Sequence, residues 1–168
     1  MIQQGGWSFT ARTILVEDTN REPLEFSLVH RLRDDLQVGI EAAIDAEKFY
    51  PMANYRILEA TDDQPALVLG TSSAWPSDDV GGNAVTLTAA QMLGPRVSGS
   101  LSLSYMLENS KWRVPASLHY GIRPNLDGTL MYDGQHLHPL LTWRSDNLSF
   151  SFILLNVSDP ALSVSVGF

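Results

Sequence analysis

At 168 residues, 44% of them hydrophobic, the chain has the length of one domain, spanning 1–168. Its formal net charge of -8 and pI near 4.8 argue against a nucleic-acid surface, which is usually basic. The absence of cysteine excludes disulfides and thiolate metal sites. No stretch reaches the roughly 18 consecutive apolar residues of a membrane helix, so any membrane crossing falls to strands.

Apolar and polar residues alternate with period two along almost the whole chain, which predicts strands and nearly no helix. Met1 to Gly6 lacks the basic and apolar regions of a secretory signal, so an exported protein of this sequence is expected in its mature form. From Trp7 to Leu15, Trp7, Phe9, Ala11 and Leu15 share one face and Ser8, Thr10 and Arg12 the other. A weaker strand starts near Pro23 and puts His30 on the oily face of Leu24, Phe26, Leu28 and Leu32, where only a register shift or a covering partner would keep it from lipid. Leu36 to Asp45 repeats the division, with Gln37, Glu41 and Asp45 on the polar face.

Further weak strands start near Asn54, Pro65 and Asn83, and the clearest ones follow. Leu101, Leu103 and Tyr105 alternate with Ser100, Ser102 and Ser104; Val114, Ala116, Leu118 and Tyr120 oppose Arg113, Ser117 and His119. Leu126, Leu130 and Tyr132 oppose Asp127, Thr129 and Asp133, while Leu137, Leu141 and Trp143 oppose His138, Thr142 and Arg144. Leu148, Phe150 and Phe152 alternate with Ser149 and Ser151. Turn signals divide the chain into about twelve strands, each near the roughly 9 to 11 residues that cross a bilayer at a tilt. Short connections at Asp34-Asp35, Asp62-Asp63-Gln64, Gly94-Pro95-Arg96, Arg123-Pro124-Asn125 and Ser145-Asp146-Asn147 are interleaved with longer ones. The longer ones are Glu17 to Pro23, Lys48 to Ala53, Pro76 to Asn83 and Asn156 to Pro160. The pattern predicts an all-β, antiparallel up-and-down transmembrane β-barrel of about 12 strands, with short turns on one rim and longer loops on the other.

Alternation by itself also suits a soluble sandwich or lipocalin-like barrel that holds an apolar ligand. The polar faces decide, because they are rich in Ser, Thr, Gly and Ala, whereas exposed soluble sheets carry Lys and Glu; here Lys48 and Lys111 are the only lysines. The meander also sorts aromatics into two belts, Trp7, Tyr120, Trp143 and Phe168 at the short-turn rim and Trp75, Tyr105, Trp112 and Tyr132 toward the other, as amphipathic rings at lipid–water boundaries do.

The chain ends Ala161-Leu162-Ser163-Val164-Ser165-Val166-Gly167-Phe168. This resembles the last strand of Gram-negative outer-membrane β-barrel proteins, with a terminal aromatic, Phe168, and apolar Val166, Val164 and Leu162 at alternate positions before it. The resemblance implies that the barrel-assembly machinery reads these four residues and that the chain resides in an outer membrane. Leu130-Met131-Tyr132-Asp133-Gly134, followed by the Leu148 to Phe168 hairpin, is also similar to the C-terminal part of exopolysaccharide-associated outer-membrane proteins of the YjbH type.

With polar faces inward, the lumen is expected to receive Arg12, Glu25, Arg31, Glu41, Asp45, Arg56, Arg113, His119, Asp127, Asp133, His138 and Arg144, with Arg56 near Asp45 and Glu25. Mixed charge in a lumen of about twelve strands points to a narrow pore or passive channel for small polar solutes. The alternative in the same membrane is a filled barrel that scaffolds an envelope assembly. No Ser lies in a G-x-S-x-G elbow and no compact His-acid cluster is legible, so no enzyme is expected. His136-x-His138 could bind a divalent metal only with a third ligand that the nearby sequence does not offer, and Asp78 to Asn83 misses the spacing of a calcium loop; no metal or cofactor is expected. The expected partners are the lipid bilayer, the assembly machinery and small polar solutes; oligomeric state is not legible.

Overall fold

The computed structural model describes residues 6–17, 21–44, 47–72 and 83–168. Its strands are β1 (Trp7–Ile14), β2 (Leu24–Arg33), β3 (Leu36–Ala43), β4 (Lys48–Leu58), β5 (Ala66–Ser72), β6 (Asn83–Gly94) and β7 (Val97–Met106). They continue as β8 (Lys111–Arg113), β9 (Ala116–Arg123), β10 (Leu126–Tyr132), β11 (Leu137–Arg144), β12 (Leu148–Leu155) and β13 (Asp159–Gly167). No helix occurs among the described residues. β8 and β9 both pair with β7 and form one stave broken at Val114-Pro115, where proline removes a ladder donor. Every sequential pair is antiparallel, and β1 joins β13 through the register Ser8↔Gly167 to Ile14↔Ala161, which closes the twelve-stave ring.

Closure leaves two unlike rims. Trp7 exchanges backbone hydrogen bonds with Phe168 at the terminal rim, which also carries the turns after β2, β4, β6, β9 and β11. The opposite loop rim carries the segment between β1 and β2 and the turns after β3, β7, β10 and β12.

The barrel is apolar outside. Among the described residues thirty-five large apolar side chains are exposed and eight apolar residues are buried. Leu101, Leu103, Phe150, Phe152 and Val164 are all exposed, which a soluble sandwich with a dry apolar centre would not permit. The inward hydroxyls pair across strands instead, Thr10 with Ser165 at 2.7 Å, Thr86 with Ser104 at 2.8 Å and Thr142 with Ser151 at 2.9 Å. Tyr105 and Trp112 meet at 5.0 Å toward the loop rim, and Trp7, Tyr120, Trp143 and Phe168 ring the terminal one; Trp75 lies outside the described residues.

Two local expectations change. Lys48 to Ala53, expected as one of the longer connections, belongs to β4. The Arg56 N–H bonds Asp35 O, so even-numbered residues of β4 serve the β3 ladder and Pro51 turns its missing donor to the other side. There the β5 ladder begins only at Asn54, so no donor is needed. His30 sits opposite Trp7 near the terminal rim, stacked on its indole at 4.4 Å with Nδ1 3.2 Å from Gly6 O. An interfacial imidazole with both contacts needs no covering partner. His30→Leu is therefore expected to cost at most about 1 kcal/mol, with heat-modifiable gel mobility unchanged; loss of the assembled species would reveal a covering surface.

Candidate functional site

All eight buried apolar residues lie toward one end of the barrel. Ile14, Ala43, Met106, Ile153 and Leu155 end or nearly end strands at the loop rim, and Tyr50, Ala84 and Ala161 lie near the start of strands that leave it. Ile14, Ile153, Leu155 and Ala161 form one cluster, joined by Val16, Met131 and Leu140; Ala84 and Met106 form another. Both clusters interrupt otherwise polar inward faces and narrow the loop-side mouth, while the terminal-rim half of the lumen keeps polar side chains.

A polar clamp sits at the same mouth. Asp133 Oδ1 accepts the N–H groups of Gln135 and His136, both at 2.8 Å, and Oδ2 accepts from His138 Nε2 at 2.9 Å and Arg21 at 3.4 Å. His138 Nδ1 accepts the Asn156 N–H at 3.1 Å, which places the ring proton on Nε2, and Asn156 Oδ1 accepts from Arg21 at 3.1 Å. His138 is 0% exposed and Arg21 is buried, so the clamp ties Arg21 of the β1–β2 connection and the β12–β13 turn to β11 at the loop-side mouth. Burial opposes ionisation of Asp133, but the hydrogen bonds from His138, His136 and Gln135 hold its carboxyl well below the usual carboxylate range. The geometry also needs Gly134, whose φ of +100° and 2.9 Å separation between a hypothetical Cβ and Arg113 Cβ exclude a side chain. Asn156 and Val157 both have positive φ, a conformation that asparagine tolerates and β-branched valine resists, so pairing on both sides imposes the turn.

Of the remaining charged positions, Arg12, Glu25 and Glu41 lie just below the collar, Arg113 lies at the loop rim, and the other described ones lie toward the terminal rim. Arg12 pairs with Glu25 from the adjacent strand, with Glu41 one strand further on, and the three line a cavity of about 280 Å³ with Thr10, Ser27 and Ser151. At the terminal rim Asp127 pairs with Arg144 and stands 3.4 Å from His119 Nε2, while His119 Nδ1 lies 2.9 Å from Thr129 Oγ1. Arg31 and Arg56 are near that rim too, and Arg56 bonds Glu59 at 2.8 Å, not Asp45. Asp45, expected beside Arg56, lies outside the described residues, as does most of the 78–83 loop. Arg113 packs beside Gly134.

Arg21 and Asn156, central to the clamp, sit in connections and were not legible as site residues. The collar did leave a signal. Ile153-Leu154-Leu155 breaks the alternation of β12, and Ile14 stands on the otherwise polar face of β1.

A second space, of about 360 Å³, lies against β5, β6, β7 and β9 and carries the hydroxyls of Thr86, Thr88, Ser100, Ser102, Ser104 and Ser117. Asn54 reaches this lining over Gly70, where a Cβ would stand 2.6 Å from Asn54 Oδ1.

No protein-family model matches the chain, and no curated protein matches it. Among solved structures it is similar to one described as a KdgM porin, at a TM-score of 0.62 and 12% identity over 97% of this chain and 98% of that one. It is also similar to a NanC porin structure in rhombohedral crystal form, at 0.52 and 12% over 96% and 98%. At this identity the likeness establishes the shared fold, a closed antiparallel barrel.

Proposed function

We propose that the chain is a narrow passive channel for small polar solutes in the outer membrane of a Gram-negative-type bacterium. The observation that carries this reading is the unfilled space inside a closed wall, the cavities of about 360 and 280 Å³ beneath a partly narrowed mouth, whose linings mix hydroxyl and charged groups with apolar ones. Side chains from about eight strands can fill a barrel, so twelve staves leave a surplus that the collar occupies only near one rim. The porin descriptions of both similar structures support the same reading. The role is non-catalytic, and the mixed-charge inward residues Arg12, Glu25, Glu41, Asp127 and Arg144 would set the field that a passing solute meets.

Leu162, Val164 and Val166 face outward on β13, and Phe168 is exposed, so these residues stay accessible to the barrel-assembly machinery until lipid surrounds them. Leu130 to Gly134 and the terminal hairpin support a finer kinship, with exopolysaccharide-associated outer-membrane proteins of the YjbH type.

Purified chain inserted in a planar lipid bilayer should give discrete current steps in potassium chloride. No current at any voltage would remove the channel reading. The second reading, a scaffolding barrel without transport, is favoured by the collar of Ile14, Ile153, Leu155 and Ala161, and silence in the bilayer would select it.

A further inference from the structure

The described residues divide the lumen into chemically unlike halves. Around the ring, β1, β2, β3 and β11 to β13 carry the clamp, the larger collar cluster and the Arg12–Glu25–Glu41 group. The facing arc, β5, β6, β7 and β9, lines the cavity of about 360 Å³ and contributes no ionisable side chain to it. The one carboxylate at its edge is Asp133, already engaged by Arg21, His138 and two backbone N–H groups. Inside this cavity a solute therefore meets no uncommitted charge; His119 of β9 lies outside it, with Arg96 and Arg123, along a separate space at the terminal rim.

It does meet hydroxyls in pairs. Thr86 bonds Ser104 and Thr88 bonds Ser102, each at 2.8 Å, and Ser100 bonds Ser117 at 2.7 Å. Two hydroxyls share one hydrogen bond, so each pair retains one O–H to donate and lone pairs to accept, and the pair can reverse its polarity by rotation alone. A surface of this kind matches another polyhydroxylated surface without fixing which partner donates. Between the hydroxyl pairs the lining is apolar, with Met52, Val68, Ala84, Met106, Ala116 and Met131 offering contact to C–H groups. The volume lies in the ordinary range of small-molecule sites.

We infer that the solutes of this channel are neutral polyhydroxylated molecules of sugar size, which travel along the Ser/Thr-lined arc of β5, β6, β7 and β9. Ionised solutes are disfavoured there because they would shed water without gaining a counter-charge. The inference rests on the channel reading and specifies the solute class of the same lumen.

Release of labelled glucose, gluconate and glucosamine from liposomes containing the purified barrel tests it, since the three are alike in size and differ in charge. Glucose should leave about tenfold faster than either charged analogue, a difference equivalent to ~1.4 kcal/mol. Ser102→Phe, which fills the arc, should slow glucose about tenfold; Thr88→Val, which keeps the width and removes one hydroxyl, should slow it about threefold. If Ser102→Phe does not show the heat-modifiable mobility of an assembled barrel, Thr88→Val carries the test. Gluconate or glucosamine leaving as fast as glucose, or assembled variants releasing glucose at the parent rate, would overturn the inference and leave the channel intact. Retention of all three solutes, together with silence in the planar bilayer, would instead remove the channel itself.

Discussion

Alanine at Asp133 is expected to destabilise the folded barrel by about 3–5 kcal/mol, the usual cost of removing one partner from a buried ion pair. The carboxylate is the acceptor for four donors at the loop-side mouth, and its side chain is 4% exposed against 5% for Arg21 and 0% for His138. Asparagine should cost less, about 1.5–3 kcal/mol, because its amide oxygen can still accept from Gln135 and His136 while the charge facing Arg21 is lost. Urea titration in detergent micelles would order the three proteins as parent, Asp133→Asn, Asp133→Ala. Asp133→Ala should also raise single-channel conductance by releasing Arg21 from the clamp at the mouth. Equal stability of parent and alanine variant would show that the clamp contributes nothing.

The pH dependence follows from the lowered carboxyl. A group whose folded pKa lies below its unfolded value of about 3.9 contributes its stability above that value and loses it as pH falls through the folded one. The difference between parent and Asp133→Ala should therefore be flat from pH 8 to about pH 5 and shrink only in stronger acid. A loss already complete at neutral pH would assign the dependence to another group.

The second large effect belongs to the outside. Phe152 pairs with Leu162 and Leu141 in the middle of the apolar belt and is exposed. Phe152→Arg is expected to cost about 2–4 kcal/mol, the penalty for a basic side chain on the lipid face near the midplane. Arginine in place of Leu148, two strand turns nearer the terminal rim, should cost about 0–1 kcal/mol because the guanidinium can reach headgroups. Refolding into lipid vesicles, read as the heat-modifiable fraction, separates the two; equal yields would mean that Phe152 does not face hydrocarbon.

The architecture and the outer belt were legible because side-chain alternation is a local property of an extended backbone. Leu101, Leu103, Phe150, Phe152 and Val164 had to share a face whatever the strands paired with, and short chain segments announced the turns at Asp34-Asp35 and Pro124-Asn125. What faces what across the lumen was not legible. Polar-face charges all look alike along one strand, so Arg56 was expected beside Asp45, whereas register and rim put it with Glu59. The clamp joins Arg21 to Asp133 across 112 positions and lets a loop residue act as an inward one, which only ring closure between β1 and β13 arranges.

The sequence by itself determined that the chain is a β meander, which face of each strand is oily, and how its last strand is patterned, since each depends on residues a few positions apart. Tertiary structure alone decided that Ile14 meets Ile153 and Ala161 in a collar, that His138 is spent on Asp133, and that the open hydroxyl arc faces a charged one. Those pairings depend on how many staves close the ring and by how much each is staggered, quantities that no local pattern encodes.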